Sequence, residues 1–358
     1  ASNIFTCACL MIVGTGVLIG TLLFAAAPLL IRLMGAEGAF ADLAVQYIRV
    51  YALCSPLTTI VFAMDNFLRI CGYIRGSMFL NILMSALSAV LEFVFLSVLG
   101  WGIWAAALAT CTGMFLCALA ALYPFFSRKM QLRFVRPRLN RTMIKTIVTC
   151  GSPNFLNNIA GRITSILMNW ILVRLGGEMA VSVYGILMYA EGFIQPLLYG
   201  MCDSLQPAVG YNWGAGKFSR VRAIEKCCFC ASGIVSIGAV FLIALLPEQI
   251  ARLFMADAGG EMLEVAVGAL RLFSLTYVTR WFSFATQSYM LAIEKPVAAS
   301  LISVSTALLF PVLLVLLLQP LGLTGIWLNF AGTAALAALL SGGIMWKMRR
   351  ELSRPDLD

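Results

Sequence analysis

The sequence predicts an all-α integral membrane protein made of two parallel-repeat helical bundles. Of its 358 residues, 61% are hydrophobic and 11% are charged, whereas a soluble domain carries about 25% charged residues. The apolar residues form runs of about 20, the length of a helix that crosses a bilayer. Because backbone groups in lipid must be hydrogen-bonded internally, these runs are predicted to be helices and not isolated strands.

Ten apolar runs predict ten transmembrane helices. The third and fourth runs are separated by the uncharged loop LGWGIW, and the fifth and sixth by a Gly-Gly pair. Pro56, Pro153, Pro196 and Pro311 fall inside runs and predict kinks. The predicted helices cover residues 6–33, 42–68, 78–99, 102–126, 145–175, 179–208, 222–246, 262–292, 297–319 and 323–347.

Charged residues between the runs predict the orientation in the membrane. If the ten helices alternate, three basic segments share one side, which the positive-inside rule places in the cytoplasm together with the C-terminus. We therefore expect a multi-pass protein of the cell membrane. The basic segments contain Arg128, Lys129, Arg133, Arg136, Arg138, Arg141 and Lys145, then Lys217, Arg220, Arg222 and Lys226, then Lys347, Arg349, Arg350 and Arg354. The opposite side has the acidic residues Glu248, Asp257, Glu261 and Glu264.

An internal repeat divides the chain. LIRLMGAE matches IARLFMAD, IRVYAL matches LRLFSL, and LGWGIWAAA matches LGLTGIWLNFA, always at nearly the same offset. That offset spans an even number of helices, which predicts two bundles of like orientation. We predict a first lobe at 1–127 with four helices, a basic linker at 128–144, a second lobe at 145–350 with six helices, and a tail at 351–358.

The smaller first lobe has two explanations. Aligning the second copy on the first predicts two further helices upstream, and hence a parent protein of twelve helices in two lobes of six. An asymmetric arrangement of four and six helices is the alternative.

Composition also excludes several functions. The chain has no histidine, which excludes His-based triads, imidazole zinc sites and haem ligation. Its net charge of +9 lies in short clusters between apolar runs, so nucleic-acid binding is not predicted. The carboxylates are scattered and form no catalytic cluster, so we predict no enzyme, no metal site and no cofactor.

A polar stretch stands out in the second lobe. DSLQPAVGYNWGAGK ends the sixth predicted helix, and its Gly210, Asn212, Gly214 and Gly216 suit a helix C-terminus. With GSPNFLNN and VRLGGEMAVSVYGI before it, this stretch resembles the second-lobe opening of the multidrug and toxic compound extrusion (MATE) family. The residues that carry the resemblance are Pro153, Gly176, Gly177, Gly185, Gln206, Pro207, Gly210, Asn212 and Gly214.

The resemblance implies a monomeric secondary transporter of small-molecule drugs with a V-shaped pair of six-helix bundles. Such transporters export organic cations or other amphipathic drugs by alternating access, in exchange for H⁺ or Na⁺, with no cofactor besides the coupling ion. The alternative is a related flippase for lipid-linked oligosaccharides, which an excess of cationic residues in the cavity would favour. Some members have a Glu where this chain has Gly161 and Arg162.

Charged groups at mid-membrane are the first candidates for the transport site. Glu191 and Arg162 lie at similar depth on neighbouring predicted helices. We expect them to face each other as a pair, in which a coupling ion or a cationic substrate competes with Arg162 for Glu191. A structural ion pair that never titrates is the alternative.

Further polar residues share these helices. Asn154, Asn157, Asn158 and Asn169 mostly share one helix face, which we expect to line the cavity or to hydrogen-bond to a neighbouring helix. Gln195 lies one turn from Glu191. The remaining candidates are Arg280 and Gln287 on the eighth run, with Arg280 expected to offset a carboxylate, and Glu92 in the first lobe, expected to pair with Arg49.

Overall fold

The computed structural model describes residues 2–33, 38–127, 130–254 and 260–352. The chain divides into two compact units, Ala1–Lys145 and Thr146–Asp358. Within the described ranges all regular secondary structure is helical. Some predicted features lie outside these ranges. They are the loop charges Arg128, Lys129, Asp257 and Arg354, residues 34–37 and 255–257 of one repeat match, and residues 353–358 of the tail.

The first unit contains four long helices. Small residues bring the first two together, since the Ser55 hydroxyl donates to the Gly16 carbonyl at 2.9 Å. The helices are α1 Ser2–Leu33, α2 Gly38–Ile70, α3 Ile74–Phe93 with a π-helical turn at Val94–Val98, and α4 Ile103–Phe126.

Phe5 forms the centre of the first unit's core. Its side chain is 1% exposed, and its ring lies 4.7, 5.1 and 4.8 Å from the rings of Phe67, Phe125 and Phe134. The basic segment that follows α4 is fastened to the start of α1. Asn3 donates to the carbonyl of Arg138 at 3.1 Å and accepts from its backbone N–H at 2.8 Å.

The second unit is built on longer, broken helices. Gly177, with φ +60°, separates two arms of α5 at 141–176 and 178–203, and a Gly adopts this φ without steric cost. The helices are α5 Arg141–Asp203, α6 Leu205–Gly214, α7 Phe218–Leu245, α8 Pro247–Phe254, α9 Gly260–Ser274, α10 Thr276–Ala292, α11 Pro296–Val304, a π-helical turn Ser305–Leu309, α12 Phe310–Leu318, a 3₁₀ turn Gln319–Leu321 and α13 Gly322–Leu352.

Seven described helices are long and apolar enough to cross a membrane, and the pair α9 and α10, bent by 42°, is an eighth candidate if the two helices form one span. Two of them are too long for one crossing, since 74 and 53 residues extend far beyond a hydrocarbon core of about 30 Å. Each is broken at a glycine with positive φ, Gly177 or Gly322. If each of these two is counted as two spans, the described chain has ten candidate crossings, four in the first unit and six in the second, which agrees with the predicted number.

The prolines have unequal effects on these helices. Helical backbone continues through Pro56, Pro153 and Pro196. Near Pro311 it is interrupted by the π-helical turn Ser305–Leu309, which frees backbone carbonyls to accept other hydrogen bonds.

Backbone turns recur at the offset of the sequence repeat. Gly72 ends α2 with φ +81° and Glu294 ends α10 with φ +60°, and in each the next N–H donates back to the carbonyl five residues earlier. Gly100 and Gly322 have φ of +63° and +62° before the final helix of each unit. The number of residues between Gly72 and Glu294 is the same as the number between Gly100 and Gly322. The units therefore share local turn geometry as well as sequence.

The prediction for the motif's glycines was partly wrong. Gly210 and Asn212 lie inside α6, where the Asn212 amide donates to the Ala208 carbonyl at 2.8 Å, whereas Gly214 is the last helical residue. Only Gly216, with φ +70°, closes the helix, with Lys217 N–H donating to the Asn212 carbonyl at 2.9 Å. That closure is a Schellman motif, in which one left-handed residue is sufficient.

Candidate functional site

A cavity of about 620 Å³ lies within the second unit, between both arms of α5, α10, the π-helical turn and α13. Its wall combines polar side chains with the aromatic rings of Tyr184, Tyr199, Phe284 and Phe330. Most predicted site residues line it, namely Asn154, Asn157, Asn158, Arg162, Glu191, Gln195 and Arg280. The predicted residues Asn169 and Gln287 do not belong to its wall, and Glu92 lies in the first unit.

Glu191 and Arg280 form a salt bridge across this cavity. The distance from Arg280 Nη2 to Glu191 Oε1 is 2.5 Å, and the two side chains are 16% and 12% exposed. The guanidinium carbon also lies 5.2 Å from the centre of the Phe284 ring. A charge-assisted hydrogen bond of this length is strong where water is scarce.

The expected pairing of Glu191 with Arg162 is therefore wrong, and the partner is Arg280. Glu191 and Arg162 do lie at similar depth, each roughly 21–23 Å along its arm from the turn at Gly177. Depth does not determine which way a side chain faces. Rotation of the two arms places Glu191 towards α10, whereas Arg162 is exposed on the cavity wall without an ion pair among the described residues. The expectation that Arg280 offsets a carboxylate is confirmed.

An aromatic connection joins the asparagine face to the salt bridge. Asn157 donates to the Tyr199 hydroxyl at 3.2 Å. The Tyr199 ring stacks on Phe284 with centroids 4.5 Å apart, and Phe284 contacts Arg280. Contacting side chains thus run without a break from Asn157 to the salt bridge.

The opposite wall is held by hydrogen bonds to carbonyls near the π-helical turn. Asn329 donates to the Pro311 carbonyl at 3.0 Å and accepts from the Thr333 hydroxyl at 2.9 Å. Thr164 donates to the Ala307 carbonyl at 2.5 Å. Sequence reasoning missed Asn329, although a polar amide within the apolar run GIWLNFAGT was a usable signal.

Asp203 closes the cavity at the end of α5. Its Oδ1 accepts from Gln206 Nε2 at 2.9 Å and from the Ser288 hydroxyl at 2.8 Å. Gln206 of the family motif thus holds a carboxylate at the edge of the cavity. The neighbouring Gln287 is buried in the helix packing, so its predicted place on the pathway is not observed.

The first unit has its own polar contacts. Glu92 accepts from the Thr110 hydroxyl at 2.6 Å, and the expected pairing with Arg49 is wrong because Arg49 lies over the Phe24 ring at 5.3 Å. Asp65 is buried and binds Arg69 at 2.5 Å, the Ser77 hydroxyl, and Asn81 at 2.8 Å. In the part of the chain that the structure describes, no three carboxylate or thiol side chains are grouped to hold a metal ion.

Similar proteins include multidrug exporters. The multidrug export protein MepA of Staphylococcus aureus strain MSSA476 is 23% identical over 326 residues, which covers 90% of this chain and 71% of that protein. The protein of the same name from Staphylococcus saprophyticus is 22% identical over 342 residues, covering 94% of this chain and 74% of its own.

Solved structures share the fold. A MOP superfamily transporter from Pyrococcus furiosus, described as having a binding pocket of reverse polarity, gives a TM-score of 0.93 at 22% identity, covering 99% of this chain and 80% of its own. An outward-facing multidrug resistance MATE family transporter gives a TM-score of 0.91 at 23% identity, with 99% and 79% covered.

The family model described as MatE matches residues 1–94 and 153–317, which is more than half of the chain. The second matched range includes the Glu191–Arg280 salt bridge and the other predicted residues of the cavity wall, namely Asn154, Asn157, Asn158, Arg162 and Gln195. Members of this family are membrane transporters and not enzymes. This multi-pass membrane protein belongs to the MATE family of multidrug efflux transporters.

Proposed function

We propose that the protein is a secondary active exporter of amphipathic organic compounds, organic cations among them, driven by exchange for H⁺ or Na⁺. The observation that carries this proposal is the Glu191–Arg280 salt bridge on the wall of the cavity. A partly buried carboxylate inside the membrane is costly unless it is paired. Such a group responds strongly to any cation that reaches it.

The proposed coupling follows from competition for one carboxylate. A proton on Glu191 removes its charge, and the mostly buried Arg280 then lacks its counter-charge. Na⁺ near the carboxylate has a similar effect. Cargo with a positive group also favours an ionised, accessible Glu191. The coupling ion and the cargo therefore exclude each other, which is the requirement for exchange by alternating access.

The charges of the cavity favour an exporter over the flippase alternative. Its wall carries two cationic side chains, Arg162 and Arg280, and two carboxylates, Glu191 and Asp203. A lipid-linked oligosaccharide carries a phosphate anion, and a cavity for it calls for an excess of cationic groups. This second-unit cavity has no such excess.

We further propose that the protein lies in the cytoplasmic membrane as a monomer, with its basic loops and C-terminus in the cytoplasm. Support comes from the segment after α6, where Lys217, Arg220 and Arg222 precede or begin α7. Basic residues at this position are attracted to the anionic inner leaflet.

Transport by reconstituted vesicles tests the proposal. The cargo is a cationic rhodamine methyl ester, and its movement is followed by fluorescence under a pH gradient or a Na⁺ gradient applied separately. We expect one of the two gradients to drive uphill movement in the wild type, and Glu191→Gln to abolish it. Movement driven equally well by that gradient in Glu191→Gln would show that the pair is structural.

The chain offers a matched control on its surface. Glu248 and Arg252 form a salt bridge at 2.9 Å between side chains that are 55% and 59% exposed. Neither residue lines the cavity. Glu248→Gln removes the same charge, so we expect it to leave gradient-driven transport unchanged.

A further inference from the structure

Arg162 differs from the other charged residues of the cavity. Glu191 and Arg280 neutralise each other, and Asp203 accepts two hydrogen bonds. The Arg162 side chain is exposed on the cavity wall. Among the described residues it has neither an ion pair nor a hydrogen bond. The cavity wall therefore carries one cationic side chain, Arg162, that forms no ion pair with any described carboxylate.

The depth of Arg162 makes this charge significant. It lies fifteen residues before Gly177 in the first arm of α5, which is roughly 22 Å along the helix. An arginine so far inside a membrane protein is costly unless an anion or water accompanies it. Because its planar guanidinium matches a carboxylate in two parallel hydrogen bonds, a compact anion is the partner it binds best.

Neighbouring groups extend the site along the same helix face. Asn158 and Asn154 precede Arg162 by one and two turns and line the same cavity. Asn158 uses one amide N–H on the Asn154 carbonyl, at 2.8 Å, and its second N–H remains available. Tyr184, stacked on Phe330 with centroids 6.2 Å apart, forms an aromatic wall of the cavity.

We propose that Arg162, assisted by Asn158 and Asn154, binds an anionic group on the cargo, so that the preferred substrates are aromatic compounds carrying a carboxylate. The aromatic body packs against the stacked rings of Tyr184 and Phe330, and the carboxylate lies on the Arg162 guanidinium. This inference rests on the proposed export function and narrows its substrate class. It assigns Arg162 to recognition and leaves ion coupling to Glu191.

Binding of two nearly identical dyes tests the assignment. The probes are a rhodamine with a free carboxylate and its methyl ester, which differ in the charge of that group and by one methyl group. Fluorescence anisotropy with protein in phosphatidylcholine vesicles, without any ion gradient, gives a Kd for each. We expect the free acid to bind about 10-fold more tightly than the ester, the size of one charge-assisted hydrogen bond.

Substitutions of Arg162 test whether this residue causes the preference for the free acid over the ester. Arg162→Gln should reduce the ratio of the two Kd values to about 1 by weakening only the free acid, while Arg162→Lys should retain part of the preference as a point charge. Arg174→Gln is the matched control, because Arg174 is on the same arm but lies over the Trp170 ring at 3.6 Å, outside this cavity. It should keep the wild-type ratio.

Two results would overturn the assignment: equal affinities of the wild type for the two dyes, or an unchanged preference in Arg162→Gln. Binding of the ester by Arg162→Gln at the wild-type Kd shows that this variant is folded. Because no gradient is applied, this outcome is separate from the coupling test at Glu191.

Discussion

The Glu191–Arg280 salt bridge should stabilise the second unit. Removing either partner alone should destabilise the unit, because the other charge is left unpaired. The Arg280 side chain is 16% exposed and the Glu191 side chain is 12% exposed. Glu191→Gln leaves Arg280 without its counter-charge, and Arg280→Gln leaves Glu191 without its counter-charge. Breaking a buried pair by one partner costs about 3–5 kcal/mol, and a cavity that admits water reduces this to about 2 kcal/mol.

A double-mutant cycle measures the interaction. We expect Glu191→Gln with Arg280→Gln to be less destabilising than either single substitution, because two amides can hydrogen-bond without an unpaired charge. The free energies of unfolding, measured by denaturation in mixed micelles, should give a coupling energy above about 2 kcal/mol. The Glu248 and Arg252 pair, which is exposed, should give about 0.5 kcal/mol or less. Additive effects at Glu191 and Arg280 would refute the reasoning.

Two stability predictions concern other parts of the chain. Glu294 is the one non-glycine residue with positive φ in the described ranges, so Glu294→Gly should raise the free energy of unfolding by about 1 kcal/mol, and a lower value than wild type would contradict this. Asp65→Ala should lower it by about 2–3 kcal/mol, because Ser77 and Asn81 lose their acceptor. Asp42 is exposed, so Asp42→Ala is the control and should leave the free energy of unfolding nearly unchanged. If Asp42→Ala and Asp65→Ala lowered it equally, the hydrogen bonds of Asp65 would not be stabilising. Both are measured by the same denaturation.

The sequence predicts the ten crossings because each depends on local composition. Apolar length and the loops between runs define a membrane helix without any tertiary information. The Gly-Gly pair at Gly176 and Gly177 marks the turn between the arms of α5. The asparagine face was also predictable, since Asn154 and Asn158 share a helix face whatever packs against it.

Partners across helices could not be predicted in the same way. Sequence gives the depth of Glu191, whereas the rotation of its helix follows from the packing of all six membrane helices of the unit. Arg162 lies at a depth similar to that of Glu191 but its side chain does not face it, and Arg280 on α10 is the residue that pairs with Glu191. The motif's glycines illustrate a different limit, because Gly214 is the last helical residue of α6 and Gly216 takes the left-handed conformation after it, and the sequence pattern does not distinguish these two roles.

The competition of ion and cargo at the Glu191 carboxylate is tested most directly by release of a bound cationic dye. The rhodamine methyl ester is bound to vesicle-reconstituted protein at equilibrium, and its anisotropy is followed as the pH is lowered or Na⁺ is added. We predict that one of these two changes releases the dye from the wild type and from Glu248→Gln, and that neither releases it from Glu191→Gln. Release from Glu191→Gln to the same extent as from the wild type would contradict the account.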